Sequence, residues 1–268
     1  MTADPLATTP RLAPWHWALP FIMAAITAPL WLGWFEPFLF LFINRQLMMV
    51  PDTVWAWFSL LGTGWAVYAL ASPSLWCSPR IITAVLCATP LAGGLTRLGK
   101  LVAHTPRPLE VLGTQDVHVI GIPLFMAGMP SGHTLTAFTA ATAIYFSLAP
   151  AVRLRFLWLF ALALGVGLSR IAVGAHWPAD VSVGAALGIF CGLVGVWLCS
   201  FIKVQHLQPQ RWLMRGVAAF GVMCLYILGT DEMGFVINKP YQYLLAAFLG
   251  VCLLVFVRHS LLSGKQPH

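Results

Sequence analysis

Long apolar runs constrain this chain more than any other feature. They recur at roughly 16–35, 54–72, 81–99, 134–149, 155–172, 180–202, 213–230 and 241–258. Each is close to the length a helix needs to cross the hydrocarbon core of a bilayer. The whole sequence is 59% hydrophobic and 9% charged, whereas soluble domains carry roughly a quarter charged residues. These runs predict an all-α polytopic transmembrane bundle of eight spans. Between the first two, the stretch from Pro37 to Val50 begins apolar and then carries Asn44 and Arg45. It suits a short helix at the membrane interface or an extension of the first span. Trp15, Trp17, Trp34, Trp55, Trp57, Trp76, Trp177 and Trp212 fall near span ends, as in an interfacial aromatic belt.

The first apolar run continues too far for a signal-peptide core and lacks a cleavage site, so it reads as a retained span. The cysteines lie mainly inside apolar runs and suggest neither a disulfide framework nor a metal site. The net charge of +7 could suggest nucleic acid, but its distribution is that of a topology signal. With the N-terminus in the cytoplasm, Arg11, Arg80, Arg153, Arg155, Lys203, Arg211, Arg215, Arg258 and Lys265 lie inside, with Asp4 the one acid there. Arg45, Arg97, Lys100, Arg107, Arg170 and Lys239 then lie outside. Lys100, Arg107 and Arg170 belong to the constellation described next, so the orienting excess inside is stronger than the bare ledger. In a bacterium the outer side is the periplasmic leaflet of the inner membrane.

Charged residues beside hydrocarbon are costly and read by default as functional. Ser169 to Asp180 places Arg170, His176 and Asp180 where one span ends and the next begins. If a helix starts near His176, Asp180 lies one turn further on the same face, able to bond one imidazole nitrogen and leave the other as nucleophile or base. Lys100 to Pro108 ends the third span, where Pro106 and Pro108 stop the helix and stiffen its exit. That holds Lys100 and Arg107 together without neighbouring acids, and the planar guanidinium suits phosphate oxygens. Pro130-Ser131-Gly132-His133 precedes the fourth span. Ser131 there is an N-cap, the free amides of a helix start favour phosphate, and Gly132 permits close approach. Alone, the Lys100 stretch also reads as a headgroup anchor, the Ser131 stretch as an ordinary cap followed by an interfacial histidine, and the Arg170 stretch as helix caps at the interface. Together they make a phosphoryl-transfer site, with His176 as in-line nucleophile and His133 as the proton donor to the leaving oxygen.

Lys-x6-Arg-Pro, Pro-Ser-Gly-His and Ser-Arg-x5-His-x3-Asp, in this order, resemble the three signature motifs of the type 2 phosphatidic acid phosphatase superfamily. The resemblance implies Lys100, Arg107 and Arg170 as phosphate ligands and Ser131 and Gly132 as phosphate contacts. It implies His133 as general acid, His176 as nucleophile and Asp180 as its partner, with no metal and no cofactor. Related haloperoxidases use the same arrangement to hold vanadate. The implied activity is hydrolysis of lipid phosphomonoesters or diphosphates such as phosphatidic acid, phosphatidylglycerol phosphate, undecaprenyl diphosphate or lipid A phosphate. Transfer to a second lipid is the close alternative. Family membrane enzymes commonly have six spans, so residues 1–203 are expected as a six-span core with its motifs in 100–180. Residues 204–268 then form an additional hairpin and tail.

His104 and His118 match no catalytic position and are expected as interfacial or hydrogen-bonded residues. The apolar part of the loop from Leu101 to Met129 would either lie on the membrane beside a lipid tail or plug the bundle. Asp231, Glu232 and Lys239 read as a solvated outer turn, or as groups that screen a headgroup. Small residues at helix spacing, Ala161, Gly165 and Ser169 in one span and Gly184, Gly188 and Gly192 in the next, predict close packing of the spans carrying Arg170 and Asp180. A zinc hydrolase using His133, His176 and Asp180 lacks a His-Glu-x-x-His pattern and would crowd its metal with cations. A transporter reading lacks inverted repeats.

Overall fold

The computed structural model describes residues 12–32 and 37–263. Arg11, Asp4, Trp34 and Lys265 of the sequence reading lie outside them. The described residues fold into helices joined by turns and loops, with no strand among them. After a 3-10 turn at Pro14–Ala18 come two short helices, α1 (Leu19–Ile26) and α2 (Ala28–Leu32), followed by α3 (Pro37–Leu47). Helices α4 (Asp52–Leu61), α5 (Gly64–Ala71) and α6 (Ser74–Cys77) come next. The central set is α7 (Pro79–Ala103), α8 (Pro108–Leu112), α9 (Gly132–Ser147), α10 (Pro150–Arg153), α11 (Trp158–Ala172) and α12 (Pro178–Ser200). A hairpin of α13 (Trp212–Thr230) and α14 (Lys239–Ser263) completes the fold.

Among the described residues, five segments are long and apolar enough to cross a membrane: Pro79–Leu112, Pro150–Ala172, Pro178–Ser200, Val204–Thr230 and Val236–Leu262. The chain is a multi-pass membrane protein. The other expected spans differ from straight crossings for local reasons. The second is the pair α4 and α5, bent by 74°, because the Thr63 hydroxyl accepts from the Ala66 amide and starts a new helix. The first is broken at Thr27, whose hydroxyl bonds back to the Met23 carbonyl at 2.8 Å. The fourth, α9, has 16 residues, about 24 Å of helix. It is the centre of the bundle, and most of its side chains, including Thr134, Thr139 and Thr142, are buried against protein.

Association of helices in lipid relies on close packing more than on hydrophobic burial. The α12 glycines supply it, though not against the expected partner. A Cβ at Gly184 would lie 2.7 Å from the Ser131 carbonyl, and one at Gly188 2.6 Å from the Leu135 carbonyl. Gly192 abuts Thr142 and Thr139 in the same way. This stripe therefore seats α12 on α9, the helix that begins with the second motif. The small face of α11 turns to α4, where Gly165 abuts Phe58 and the Ser169 and Ser59 hydroxyls are 3.1 Å apart. Helices α11 and α12 meet near the motif end, where Gly167 abuts Val181.

The hairpin packs differently. Large side chains of α13 and α14, among them Met214, Leu228, Leu249 and Phe256, close over Tyr68, Leu75 and Ile82. The Tyr68 hydroxyl donates to the Val217 carbonyl at 2.6 Å.

Candidate active site

Helix α7 ends at His104, exposed and in the left-handed region at φ 44°, and the two following prolines turn the chain into α8. This exit buries Arg107. Its side chain is held by backbone carbonyls: Nε donates to Met126 at 2.7 Å, Nη2 to Ala127 at 3.2 Å and Nη1 to Ala175 at 2.8 Å. The Arg107 amide donates to the Phe125 carbonyl at 2.8 Å. The loop between the first two motifs is thus fastened around the guanidinium. Nη1 also lies 3.4 Å from His176 Nε2.

His176 follows the last turn of α11, its amide donating to the Arg170 carbonyl at 3.1 Å. Helix α12 begins two residues later and brings Asp180 back over it. His176 Nδ1 is 3.2 Å from Asp180 Oδ2, which also accepts from the Trp177 amide at 3.1 Å. His176 is 2% exposed and Asp180 0%, so neither trades its partner for water. A carboxyl oxygen on Nδ1 places the proton there and leaves the Nε2 lone pair facing Arg107. Burial, followed by the positive charges of Arg107, Arg170 and Lys100 and by His133, pushes the His176 pKa well below 6.5. The imidazole is neutral at pH 7 and able to act as a nucleophile.

The second motif is tied to the third by the backbone. The Ser131 amide donates to the Asp180 carbonyl at 3.0 Å, so it is not free for a ligand. Its hydroxyl accepts from Thr134 Oγ1 at 2.9 Å. Ser131 occupies the N-cap position of α9 without a side-chain bond to a helix amide, and the Leu135 amide closes the first bond onto the Ser131 carbonyl. The amides of Gly132, His133 and Thr134 form the intervening first turn, where an anion is favoured. His133 packs on Gly62 at the bend between α4 and α5, where a Cβ would come within 2.8 Å of the His133 Cβ.

Arg170 is 3% exposed. Nη1 donates to Ser59 Oγ at 2.8 Å, and Nε is buried without a hydrogen-bond partner. The guanidinium carbon lies 6.0 Å from the Phe235 ring centroid. Arg170 and His133 face one cavity of about 160 Å³. Lys100 is half-buried on the last turn of α7, within electrostatic reach of Arg107, Arg170 and Asp180. The structure therefore gathers Lys100, Arg107, Ser131, Gly132, His133, Arg170, His176 and Asp180 at one end of the bundle. Among the described residues, no three or more His, Cys, Asp or Glu converge in a way that could hold a metal ion.

Several supporting residues were not singled out by the sequence reading. Asn44 is fully buried on α3, donating to the carbonyls of Ile171 at 2.9 Å and Ala172 at 3.2 Å and accepting from the His118 amide at 2.9 Å. Phe40 packs edge-on against Trp177, with ring centroids 5.3 Å apart, so α3 is a strut of the third motif. A polar Asn inside an apolar run was its one visible signal. Ser59, the partner of Arg170, had none. His118 pairs with Asp52 at 2.9 Å, as expected of a hydrogen-bonded surface histidine.

Residues 81–204 match the model of the PAP2 superfamily. Over this segment the chain is similar to members of that superfamily. Lipid A 1-phosphatase of Rhizobium johnstonii is 43% identical over 86 residues, which are 31% of this chain and 33% of that protein. The bacitracin transport permease protein BcrC of Bacillus licheniformis is 36% identical over 77 residues, 29% of this chain and 36% of BcrC. The matches cover from 16% to 38% of the curated relatives' length. The crystal structure of Aquifex aeolicus LpxE superposes with a TM-score of 0.51 at 29% identity, covering 59% of this chain and 93% of LpxE.

Proposed function

We propose that this PAP2 protein is a phosphoric ester hydrolase that releases phosphate from lipid phosphomonoesters or diphosphates through a phosphohistidine on His176. The observation carrying this reading is the chain of contacts from Asp180 through His176 to Arg107, beside a cavity holding Arg170 and His133. The relatives named lipid A phosphatases support the substrate class.

Lys100, Arg107, Arg170 and the first turn of α9 would hold the phosphoryl oxygens and offset charge in the transition state. His176 Nε2 attacks phosphorus, forming an N–P bond as the P–O bond to the lipid breaks. His133 protonates the departing oxygen, and the Asp180 carboxyl stabilises the imidazolium through Nδ1–H. Water then attacks phosphorus while His133 takes its proton. The N–P bond breaks, inorganic phosphate leaves and His176 returns to its neutral form.

The test is phosphate release by the purified full chain from a panel of lipid phosphates, with and without an acceptor lipid. A quench with labelled substrate, avoiding acid, is expected to trap an acid-labile adduct in the wild type and none in His176→Ala. Near-normal turnover by His176→Ala would end this mechanism, and label passing to the acceptor lipid would make the enzyme a phosphotransferase.

The basic ledger supports a site on the outer face of a bacterial inner membrane. Thr114 and Gln208 are exposed at the two proposed sides. Thr114→Cys and Gln208→Cys, each in a Cys77→Ser background, can be treated with a membrane-impermeant thiol reagent on intact cells. The first is expected to label and the second to be spared; the reverse pattern overturns the orientation.

A further inference from the structure

The cavity beside Arg170 and His133 is not built by the PAP2 segment alone. Ile120, Ile122 and Leu124 of the loop between the first two motifs form one side, and Met233 and Phe235 form another. The latter two belong to the turn between α13 and α14, outside residues 81–204. This turn is fastened to the site by specific contacts. The Ile122 amide donates to the Gly234 carbonyl at 3.3 Å. Gly121 has φ 82°, and a Cβ there would lie 2.6 Å from that same carbonyl, so loop and turn meet backbone to backbone. Asn238 Nδ2 donates to the Ala56 carbonyl at 2.7 Å, binding the turn to α4, the helix that carries Ser59. Lys239 Nζ donates to the carbonyls of Thr230 at 3.2 Å and Asp231 at 2.7 Å, closing the turn on itself. Phe235 is 8% exposed and carries its ring over the Arg170 guanidinium, a contact that strengthens as water is excluded.

We propose that this turn is part of the substrate site, and that its apolar wall selects phosphates esterified to a hydrocarbon chain over phosphates carried on a sugar. The proposal rests on the phosphatase reading of the site. Arg170 and His133 are the polar side chains of the cavity lining, and both are committed to the phosphoryl group in that reading. The remaining side chains lining the cavity are aliphatic, aromatic or thioether. A prenyl or alkyl chain next to the phosphate loses nothing against such a wall. Each sugar hydroxyl brought there without a partner costs roughly a factor of ten in affinity. The turn also borders a space of about 160 Å³ beside Arg170 and His133. The hairpin would thus give this chain a selectivity separate from the motifs, which read the phosphate.

The test uses the full chain in mixed micelles, with kcat/KM measured for a polyprenyl monophosphate, a polyprenyl diphosphate and lipid A. Wild type is expected to prefer both polyprenyl substrates at least tenfold. Phe235→Ala should narrow that ratio at least fivefold, whereas Phe235→Leu, which keeps the wall apolar, should hold most of it. Met233→Ser, at a half-buried position, should narrow the ratio too and covers the case in which Phe235→Ala does not fold. Parity or a preference for lipid A in wild type overturns the proposal, as does a ratio that stays within twofold in the Ala and Ser variants. Phosphate release with an unmoved ratio leaves the phosphatase reading standing. Absence of release from every lipid by wild type removes that reading and this proposal together.

Discussion

The α9–α12 seam and the α13–α14 hairpin are both helix pairs in one membrane bundle, yet they are built on opposite principles. The seam joins glycine to backbone: Gly184, Gly188 and Gly192 leave no room for a side chain against α9. Its start is locked by the Ser131 amide on the Asp180 carbonyl. The hairpin joins large side chains, while Tyr226, Leu244, Val251 and Leu254 face outward. Its Gly216, Gly229 and Gly250 have open space where a Cβ would go, and the one tightly packed glycine of this helix pair, Gly221, meets the side chains of Tyr68 and Leu253 and not a backbone carbonyl. A phosphoryl-transfer site requires groups fixed to within fractions of an ångström, and backbone contact gives α9 and α12 little freedom to slide. A surface of large side chains can repack, which suits an element that shapes the approach of a lipid.

This contrast predicts a wide separation of effects. His176→Ala, beside the seam, is expected to lower kcat by roughly 10⁴-fold or more, while Tyr226→Ala on the hairpin surface stays close to wild type. Both would be read as phosphate release from the best lipid substrate. A hairpin surface variant as damaging as His176→Ala would break the division of labour. Stability separates the same regions on a smaller scale. Gly188→Ala forces a methyl group against the Leu135 carbonyl and is expected to cost about 1–3 kcal/mol. Gly216→Ala meets nothing and gains helix propensity, about 0.5–1 kcal/mol of stabilisation. Thermal unfolding in detergent checks the pair, and equal responses would show that the seam relaxes as easily as the hairpin.

A polar contact from α4 is the next smaller lever. Ser59→Ala removes the hydroxyl that accepts from Arg170 Nη1 and leaves the guanidinium short of a partner, so kcat/KM should fall about tenfold. Ser59→Thr retains the hydroxyl and is expected to recover part of the loss. Equal losses in the two variants, with unchanged melting, would mean that Arg170 is positioned by its own helix.

The motif residues were legible because ionisable groups are conspicuous in apolar sequence and their spacings have few structural uses. Three Arg and Lys positions, two His and one Asp at span ends had to be explained. The supports were harder to see. Ser59 sits in α4 among apolar residues, and nothing local marks it as facing Arg170 from more than a hundred residues away. The glycine stripe showed that α12 packs closely but not on which neighbour, and the expected partner α11 gave way to α9. Asp231, Glu232 and Lys239 read as a solvated turn or a headgroup screen, and nothing in that pattern shows that Met233 and Phe235 between them reach the cavity. The turn's contact with loop residue Gly121 is purely tertiary. The break at Thr63 was hidden inside an otherwise acceptable apolar run.

The finest distinction between the regions is in their response to pH. His176 has its pKa pushed well below 6.5, first by burial and then by Arg107. The unfolded chain therefore binds more protons at this position than the folded one across the window just below pH 6.5. In that window stability rises with pH, and the His176 contribution is fully present above 6.5 and lost as pH falls. In the proposed mechanism His176 must be neutral to attack, so the acid limb of kcat/KM belonging to this group also lies below 6.5. Arg107→Gln removes the positive charge named after burial as the largest cause. It should move that limb toward higher pH by a fraction of a unit up to about one unit, besides lowering the plateau through lost phosphate contact. A hairpin substitution such as Phe235→Leu leaves the Arg107–His176–Asp180 contacts untouched and should not displace the limb. The check is a pH profile of kcat/KM from 4.5 to 8 on a substrate with no titration in that range. A limb that stays fixed in Arg107→Gln would show that burial alone keeps His176 neutral, and one that moves with Phe235→Leu would show that the hairpin wall governs the solvation of the nucleophile itself.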